Sequence, residues 1–485
     1  MNAPSAYLRH LIGLLVTVLF VGCSATSPDS RLSESGIAVP GSWAATKEAT
    51  AGVSDDWIRR FGDSRLVDLV TEAEKANPDV KAAAARMRAA ENIAITAGAD
   101  RRPQANLEFN GSRAKQNFIG FPIFGGDPED GSSGEDMVLA SRTNTFGLSL
   151  GVRWEIDLWG RVRAGESAAL ADADAAKADW QAVRVSLAAQ VAKAYFTIIE
   201  SNEQVNASEE ALRILGETEE VVRQRFEAGQ SDAGSIGSQL RLARSDVEAA
   251  KADLAESSQR RESAARQLEV LLGKYPNVTY DASRSLPVLS KTPPAGIPSD
   301  VLMRRPDVLA AERRFASRGK AVKEAKLAIF PRLQLTGSGG SSTDDLSQIL
   351  NSDFGVWNIA AGVVQPILAG GQIRSTYQQR LANEDEALAS LQKTVLNAFL
   401  EVETALGNEQ WLMTRERALT KSLALAKDAD EEARNSFRDG VGTIISVFET
   451  QRRVILARRN LVAVRYARLE NRINLHLALG GDFLN

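Results

Sequence analysis

From Phe146 to Ile156 every even position is apolar or aromatic (Phe146, Leu148, Leu150, Val152, Trp154, Ile156), while the odd ones read Gly147, Ser149, Gly151, Arg153 and Glu155. Period-two alternation predicts a strand with one apolar and one polar face. At Trp159-Gly160-Arg161 the period changes. No proline follows until Pro276, and Ala, Glu, Gln, Arg and Leu dominate through Phe226, which predicts one helix over 161–228. At about 1.5 Å per residue it would run ~100 Å, many times the usual three turns. Along it Leu187, Val191, Ala194, Ile198, Ser201, Val205, Ser208, Leu212, Leu215, Glu219, Val222 and Phe226 alternate steps of four and three, a coiled-coil seam. A weaker seam runs through Ile455, Val462, Tyr466, Leu469, Ile473 and Leu477.

The pattern occurs twice. With a shift of 228, Asn77-Pro78-Asp79-Val80 falls on Arg305-Pro306-Asp307-Val308, and identities continue at Ala83/Ala311, Arg86/Arg314, Pro103/Pro331, Leu107/Leu335 and Gly111/Gly339. The shift then becomes 211, matching Gly151/Gly362, Gly160/Gly371, Arg163/Arg374, Phe226/Phe437, Gly229/Gly440 and Arg241/Arg452. The lost residues fall in a Gly-, Pro-, Asp- and Ser-rich stretch from Ala114 to Ser141, where a loop shortens at little cost.

Each half therefore predicts helix, strand, loop, strand, long helix, tight turn, long helix. In the first half these fall near 78–99, 104–113, 143–157, 161–228 and 235–272. In the second, a single helix is expected over 299–329, strands near 331–340 and 356–368, and helices near 372–438 and 443–479. The expected domains are a first repeat over 61–280, a Pro-rich linker over 281–298, a second repeat over 299–480 and a tail over 481–485.

Four strands of about ten residues suit a bilayer's hydrocarbon thickness. Four strands cannot close, and lipid offers no hydrogen bonds to an open edge. A spanning sheet therefore requires copies of the chain, two for eight strands or three for twelve. The alternative is a half-buried sheet on a soluble domain.

Composition narrows the chemistry. Across 485 residues the net charge is −4, which as a whole argues against a nucleic-acid or anionic-membrane partner. The histidines are His10 and His476 and the one cysteine is Cys23, so neither a His/Cys metal cluster nor an intrachain disulfide can form, and no cofactor is expected. Gly337-Ser338-Gly339-Gly340 lacks the Lys-Ser/Thr of a phosphate loop. No nucleophile, base and orienting group recur at usable spacing, so the chain does not read as an enzyme. Arg9 and His10 precede an apolar run from Leu11 to Val21, sized for the core of a signal peptide over 1–22 rather than for a span. It ends in Leu19-Phe20-Val21-Gly22-Cys23, which resembles the lipobox of bacterial lipoproteins, with Phe20 where leucine is usual. That resemblance implies acylation at Cys23, a lipidated extension over 23–60 and, with Ser24 following, an outer-membrane address.

A set of motifs recurs in order along the chain: Phe61-Gly62-Asp63 with Leu66, Asn77-Pro78-Asp79, Trp154-Glu155-Ile156-Asp157-Leu158-Trp159-Gly160-Arg161 and Leu271-Leu272-Gly273. In the second half come Ile297-Pro298-Ser299-Asp300, Arg304-Arg305-Pro306-Asp307-Val308, Phe330-Pro331, Gln365-Pro366, Gly370-Gly371 and Ala478-Leu479-Gly480-Gly481. In this set the chain resembles the TolC-like outer-membrane factors of tripartite efflux pumps, in their lipidated branch. The resemblance implies a mostly α fold with membrane β: a homotrimer whose four strands per chain build an outer-membrane β-barrel continuous with a periplasmic α-helical barrel. It also implies a periplasmic membrane-fusion adaptor and an inner-membrane, proton-driven RND-type transporter as partners. By resemblance the helical turns meet the adaptor, with Phe226, Gly229, Gln230, Phe437, Gly440 and Val441 as contacts, and Glu449 sits at the periplasmic aperture. Ser446 departs from a second acidic position seen in TolC itself, so a double acidic ring is not expected. A type I secretion outlet and a non-transporting coiled-coil lipoprotein scaffold are the alternative readings.

Overall fold

The computed structural model describes residues 36–45, 55–118, 139–228, 236–280, 285–289 and 295–481. The chain divides into two units. Of the first, residues 1–38, the described residues 36–38 carry no helix or strand; the second, 39–485, holds everything that follows.

Two repeats of six elements make up the fold. The first contains α1 (Ser64–Ala76), α2 (Pro78–Ala99), β1 (Gln104–Phe118), β2 (Leu139–Ile156), α3 (Arg161–Glu227) and α4 (Ile236–Leu271). The second contains α5 (Pro298–Arg304), α6 (Pro306–Leu327), β3 (Arg332–Thr343), β4 (Gly355–Val364), α7 (Gln372–Arg438) and α8 (Ile444–Ala478). The helix expected over 299–329 is two helices. Arg305 is extended (φ −75°, ψ 120°), as the residue before a proline prefers, and Pro306 restarts the chain as α6. Helix α1 has no counterpart in the sequence reading; Asp63 caps its start and Asn77, before Pro78, ends it. Strands β1 and β2 extend beyond the expected 104–113 and 143–157, while β4 stops at Val364 rather than near 368. Gln365 turns away there, its side-chain amide donating to Ile329 O at 2.8 Å.

The sheet is antiparallel throughout, in the order β1-β2-β3-β4. Its register aligns Leu107, Leu150, Gly339 and Trp357 on one face, with Ala105, Val152, Gly337 and Ile359 one rung below. That face is uncovered: Leu107, Trp357 and Ile359 are each more than 70% exposed. The opposite face carries Asn106, Glu108, Arg153, Gln334, Thr336 and Asn358. The outer edges of β1 and β4 have no partner among the described residues.

Both junctions from strand to long helix are pinned alike by glycine. Gly160 and Gly371 precede α3 and α7 with φ 81° and 84°, a region open to residues without Cβ. Neither can cap with a side chain, so at α3 the Asp157 carboxylate reaches forward and accepts from Val162 N at 3.1 Å and Arg163 N at 2.9 Å. Trp159 donates to Pro331 O at 2.9 Å and stacks on Phe330, tying the first repeat to the second.

The duplication extends to the ends of the return helices. Asn77 caps α2 and donates from Nδ2 to Leu271 O at 2.9 Å, where α4 ends. At the equivalent place Arg305 donates to Ala478 O at 3.0 Å, where α8 ends. The main core lies beside α3: Leu187, Val191, Phe196, Ile198 and Ile199 pack with Leu66, Leu69 and Val70 of α1, Leu268 of α4, Leu469 and Ile473 of α8, and Trp57. Of the predicted seam on α3, Leu187 through Ser208, Leu215 and Val222 are buried, while Phe226 is exposed.

Candidate functional site: the helical turns, the aperture and the open sheet

The α7–α8 turn is built from its backbone outward. Val441 N and Gly442 N both donate to Ser436 O, at 3.0 and 2.9 Å, while Gly440 takes φ 78°. A Cβ on Gly442 would lie 2.9 Å from Ser436 Cβ and 3.0 Å from Phe437 N, so the close return of the chain requires glycine. Thr443 then caps α8, accepting from Ser446 N at 3.3 Å.

Beneath this turn Val222, Leu240, Ala243, Ile444, Val447 and Phe448 form a small apolar cluster. Phe437 packs against it, and the Arg225 guanidinium stands 3.9 Å above the Phe437 ring. Phe437 therefore ties the end of α7 to the end of α3, with only part of its surface available outward. Val441 is the protruding residue, 84% exposed, and Phe226 is half exposed. Gly229, Gln230 and Cys23 lie outside the described residues.

Glu449 lies on α8 just above the turn, largely exposed, with Arg453 3.3 Å away on the next turn. On the same helix, Arg452 and Arg459 form ion pairs across to α4, with Asp246 at 2.5 Å and Asp253 at 2.6 Å. Two buried amides also link α8 to α3. Gln451 donates to Thr218 Oγ1 at 2.9 Å, and Gln204 to Arg459 O at 3.1 Å. Sequence spacing shows Arg452 and Arg459 a heptad apart, but nothing in it names the partners, which come from another helix of the other repeat.

Higher on α8 lies a buried charge cluster that the sequence reading missed. The Glu409 carboxylate accepts from Arg472 at 2.6 Å and Arg468 at 3.2 Å, and Arg468 also meets Glu416 at 2.9 Å. One turn further, His476 stacks on Trp57 with ring centroids 5.5 Å apart. A strap beside them holds the chain preceding α1: Trp43 Nε1 donates to Gly296 O at 3.0 Å, and the Glu403 carboxylate accepts from Ala44 N and Ala45 N. No group of three or more His, Cys, Asp or Glu among the described residues is placed to hold a metal ion.

An uncovered apolar sheet face, two strand edges without a partner among the described residues and two 67-residue helices, each packed on a shorter return helix, define a membrane-spanning channel subunit with a long helical extension. Residues 69–274 and 297–481 match the outer membrane efflux protein family. The chain is 30% identical over 483 residues to the pyoverdine export outer membrane protein OpmQ of Pseudomonas putida KT2440, covering 98% of each. It is 26% identical to the cation efflux system protein CusC of Escherichia coli K12, covering 97% of this chain and 99% of that one. Among solved structures it matches the outer-membrane channel OprN with a TM-score of 0.82 at 25% identity, over 92% of this chain and 97% of that one. A CusC crystal structure matches with a TM-score of 0.78 at 26% identity, over 91% and 97%.

The chain belongs to the outer membrane efflux protein family. It has the fold of the trimeric TolC-like channels, with four strands per chain, a helical barrel and an internal duplication, and it is the outer-membrane channel component of a tripartite efflux system.

Proposed function

We propose that three copies of this chain close one twelve-stranded barrel, in which β4 of each copy pairs antiparallel with β1 of the next. The observation that carries this is the sheet itself, since an apolar face with two unpaired edges is tolerated in lipid only when the edges meet. The alternating direction of the four strands makes β4 and β1 antiparallel neighbours without any crossover.

The duct is passive and carries out no catalysis. Cargo is a small molecule passed from an inner-membrane, proton-driven transporter through a periplasmic adaptor. Relatives whose names specify pyoverdine export and cation efflux favour small cargo over polypeptide. The adaptor meets the tips at Phe226, Gly229, Gln230, Phe437, Gly440 and Val441, with the contact of Arg225 on Phe437 joining the ends of α3 and α7. Three Glu449 carboxylates line the periplasmic aperture. Cys23 carries the acyl anchor, and Cys23→Ser abolishes the shift in processing and detergent partitioning that acylation confers.

Closure is tested by single cysteines on β1 (at Asn106, Glu108 or Asn110) combined with single cysteines on β4 (at Asn358, Ala360 or Gly362), oxidised in native membranes. Adducts that build to three chains and stop there are expected. A series that ends at two, or runs past three, sinks the proposal.

A further inference from the structure

The outward face of the sheet does not end with its apolar band. On β1, Arg113 and Lys115 keep the parity of Leu107 and Phe109, and on β2, Arg142 keeps that of Phe146 and Leu148. Lys115 lies directly opposite Arg142, and Arg113 directly opposite Asn144, one rung nearer the band. All three cations are exposed, and none makes an ion pair with another described residue. At the outer end of β3, the Asp345 carboxylate accepts from Ser347 N at 2.9 Å.

Like charges directly opposite on one face of a strand pair are destabilising. A sheet keeps such a rung where a counter-charge is supplied from beyond the strand pair. Height along the sheet indicates what that is. Ten residues separate Ile156 from Phe146, so at ~3.4 Å per residue and a tilt of about 45° the apolar band is ~24 Å tall, the height of a barrel's lipid-facing belt. Arg142 lies four residues further, ~10 Å above the band, and Arg113 about half that, at the level of lipid headgroups. The lowest outward rungs, Ala105, Ile156, Leu333 and Val363, carry no cation. The basic rung therefore belongs to one leaflet, the one away from the helices.

We infer that Arg113, Lys115 and Arg142 form a binding site for the phosphates of the phosphorylated glycolipid in the outer leaflet. The inference rests on the barrel reading above, with the β1–β2 connection on the outer side. Arg113 and Arg142 supply forked donors, which suit phosphate oxygens, and Lys115 adds a third positive charge between them. Acyl chains of the same lipid would lie against Phe109, Phe146 and Leu107 directly below.

The test is native mass spectrometry of the full assembled protein in detergent, titrated with bisphosphorylated lipid A, with the same lipid stripped of both phosphates, and with inorganic phosphate. At about fivefold per charge, the variant R113Q/K115Q/R142Q binds bisphosphorylated lipid A about a hundredfold more weakly than the wild type, with no change for the stripped lipid. Lys115→Glu converts the like-charge rung into an ion pair with Arg142, and is expected to lose binding while the strands stay paired. Equal affinity for the two lipids, unchanged affinity in the variants, or saturation by inorganic phosphate alone would overturn the inference. Three-chain mass and planar-bilayer conductance, followed in parallel, separate the two readings: retained in both variants while lipid affinity stays unchanged, they leave the barrel standing and remove only the glycolipid site.

Discussion

His476 makes the stability of the upper helical region depend on pH. It is 4% exposed, stacked on Trp57, and its Nδ1 has no hydrogen-bond partner. Burial, with lesser contributions from the Arg472 and Arg60 cations, lowers its pKa to about 3, against 6.5 for a free imidazole. Between those values the unfolded chain binds a proton that the folded chain refuses. Stability from this residue is therefore complete above pH 6.5 and falls as pH drops toward 3. The loss is about 1.4 kcal/mol at pH 5.5 and about 2.7 kcal/mol at pH 4.5. His476→Phe keeps a ring over Trp57 with nothing to protonate, and carboxylates elsewhere titrate alike in both proteins. Amide hydrogen exchange over Leu469–Ala478, corrected for intrinsic rates, should show the wild type losing about a hundredfold more protection than the variant between pH 7.5 and 4.5. Parallel loss in both proteins would mean that His476 is not held neutral, and the argument from burial would be wrong.

Three further outcomes follow from the geometry. A Cβ on Gly340 would collide with the Leu148 carbonyl and Ser149 Cα, so Gly340→Val should prevent β2–β3 pairing and abolish the assembled species on native gels, whereas Gly339→Val, with open space around it, should assemble normally. Phe437→Ala removes the ring under Arg225 and opens the edge of the cluster around Phe448, at a local cost of about 2 kcal/mol, below that of a fully buried ring, so efflux should fall while assembly persists. Glu449→Gln should reduce cation preference in planar-bilayer reversal potentials; an unchanged potential would remove Glu449 from the aperture.

Much of the fold was legible because its signals are local. Alternation along Phe146–Ile156 fixes a face without reference to any partner, and that face is the one the register assembles. The 161–228 helix was legible because proline is absent and Gly160 precedes it. What escaped depends on contacts between distant segments. The break at Arg305 comes from Pro306 acting on its predecessor, within a stretch whose composition is helical on both sides. Phe437 reads as a tip residue in sequence, yet its ring is held by Arg225, which lies 212 positions earlier. The Glu409, Arg468 and Arg472 cluster and the ion pairs of Arg452 and Arg459 look like ordinary exposed helix charges until α7, α8 and α4 are laid side by side. Helix α1 escaped because its single turn-by-turn apolar stripe, Leu66, Leu69, Val70 and Ala73, is short and its caps overlap those of α2.

Electron cryomicroscopy of the detergent-solubilised protein reads closure of the barrel itself. Threefold particles are expected, with one twelve-stranded barrel, each β4 joined to the next β1, opening into a helical tunnel ~100 Å long. Compact monomers, or rods with no lumen and the sheet edges still unpaired, would contradict it.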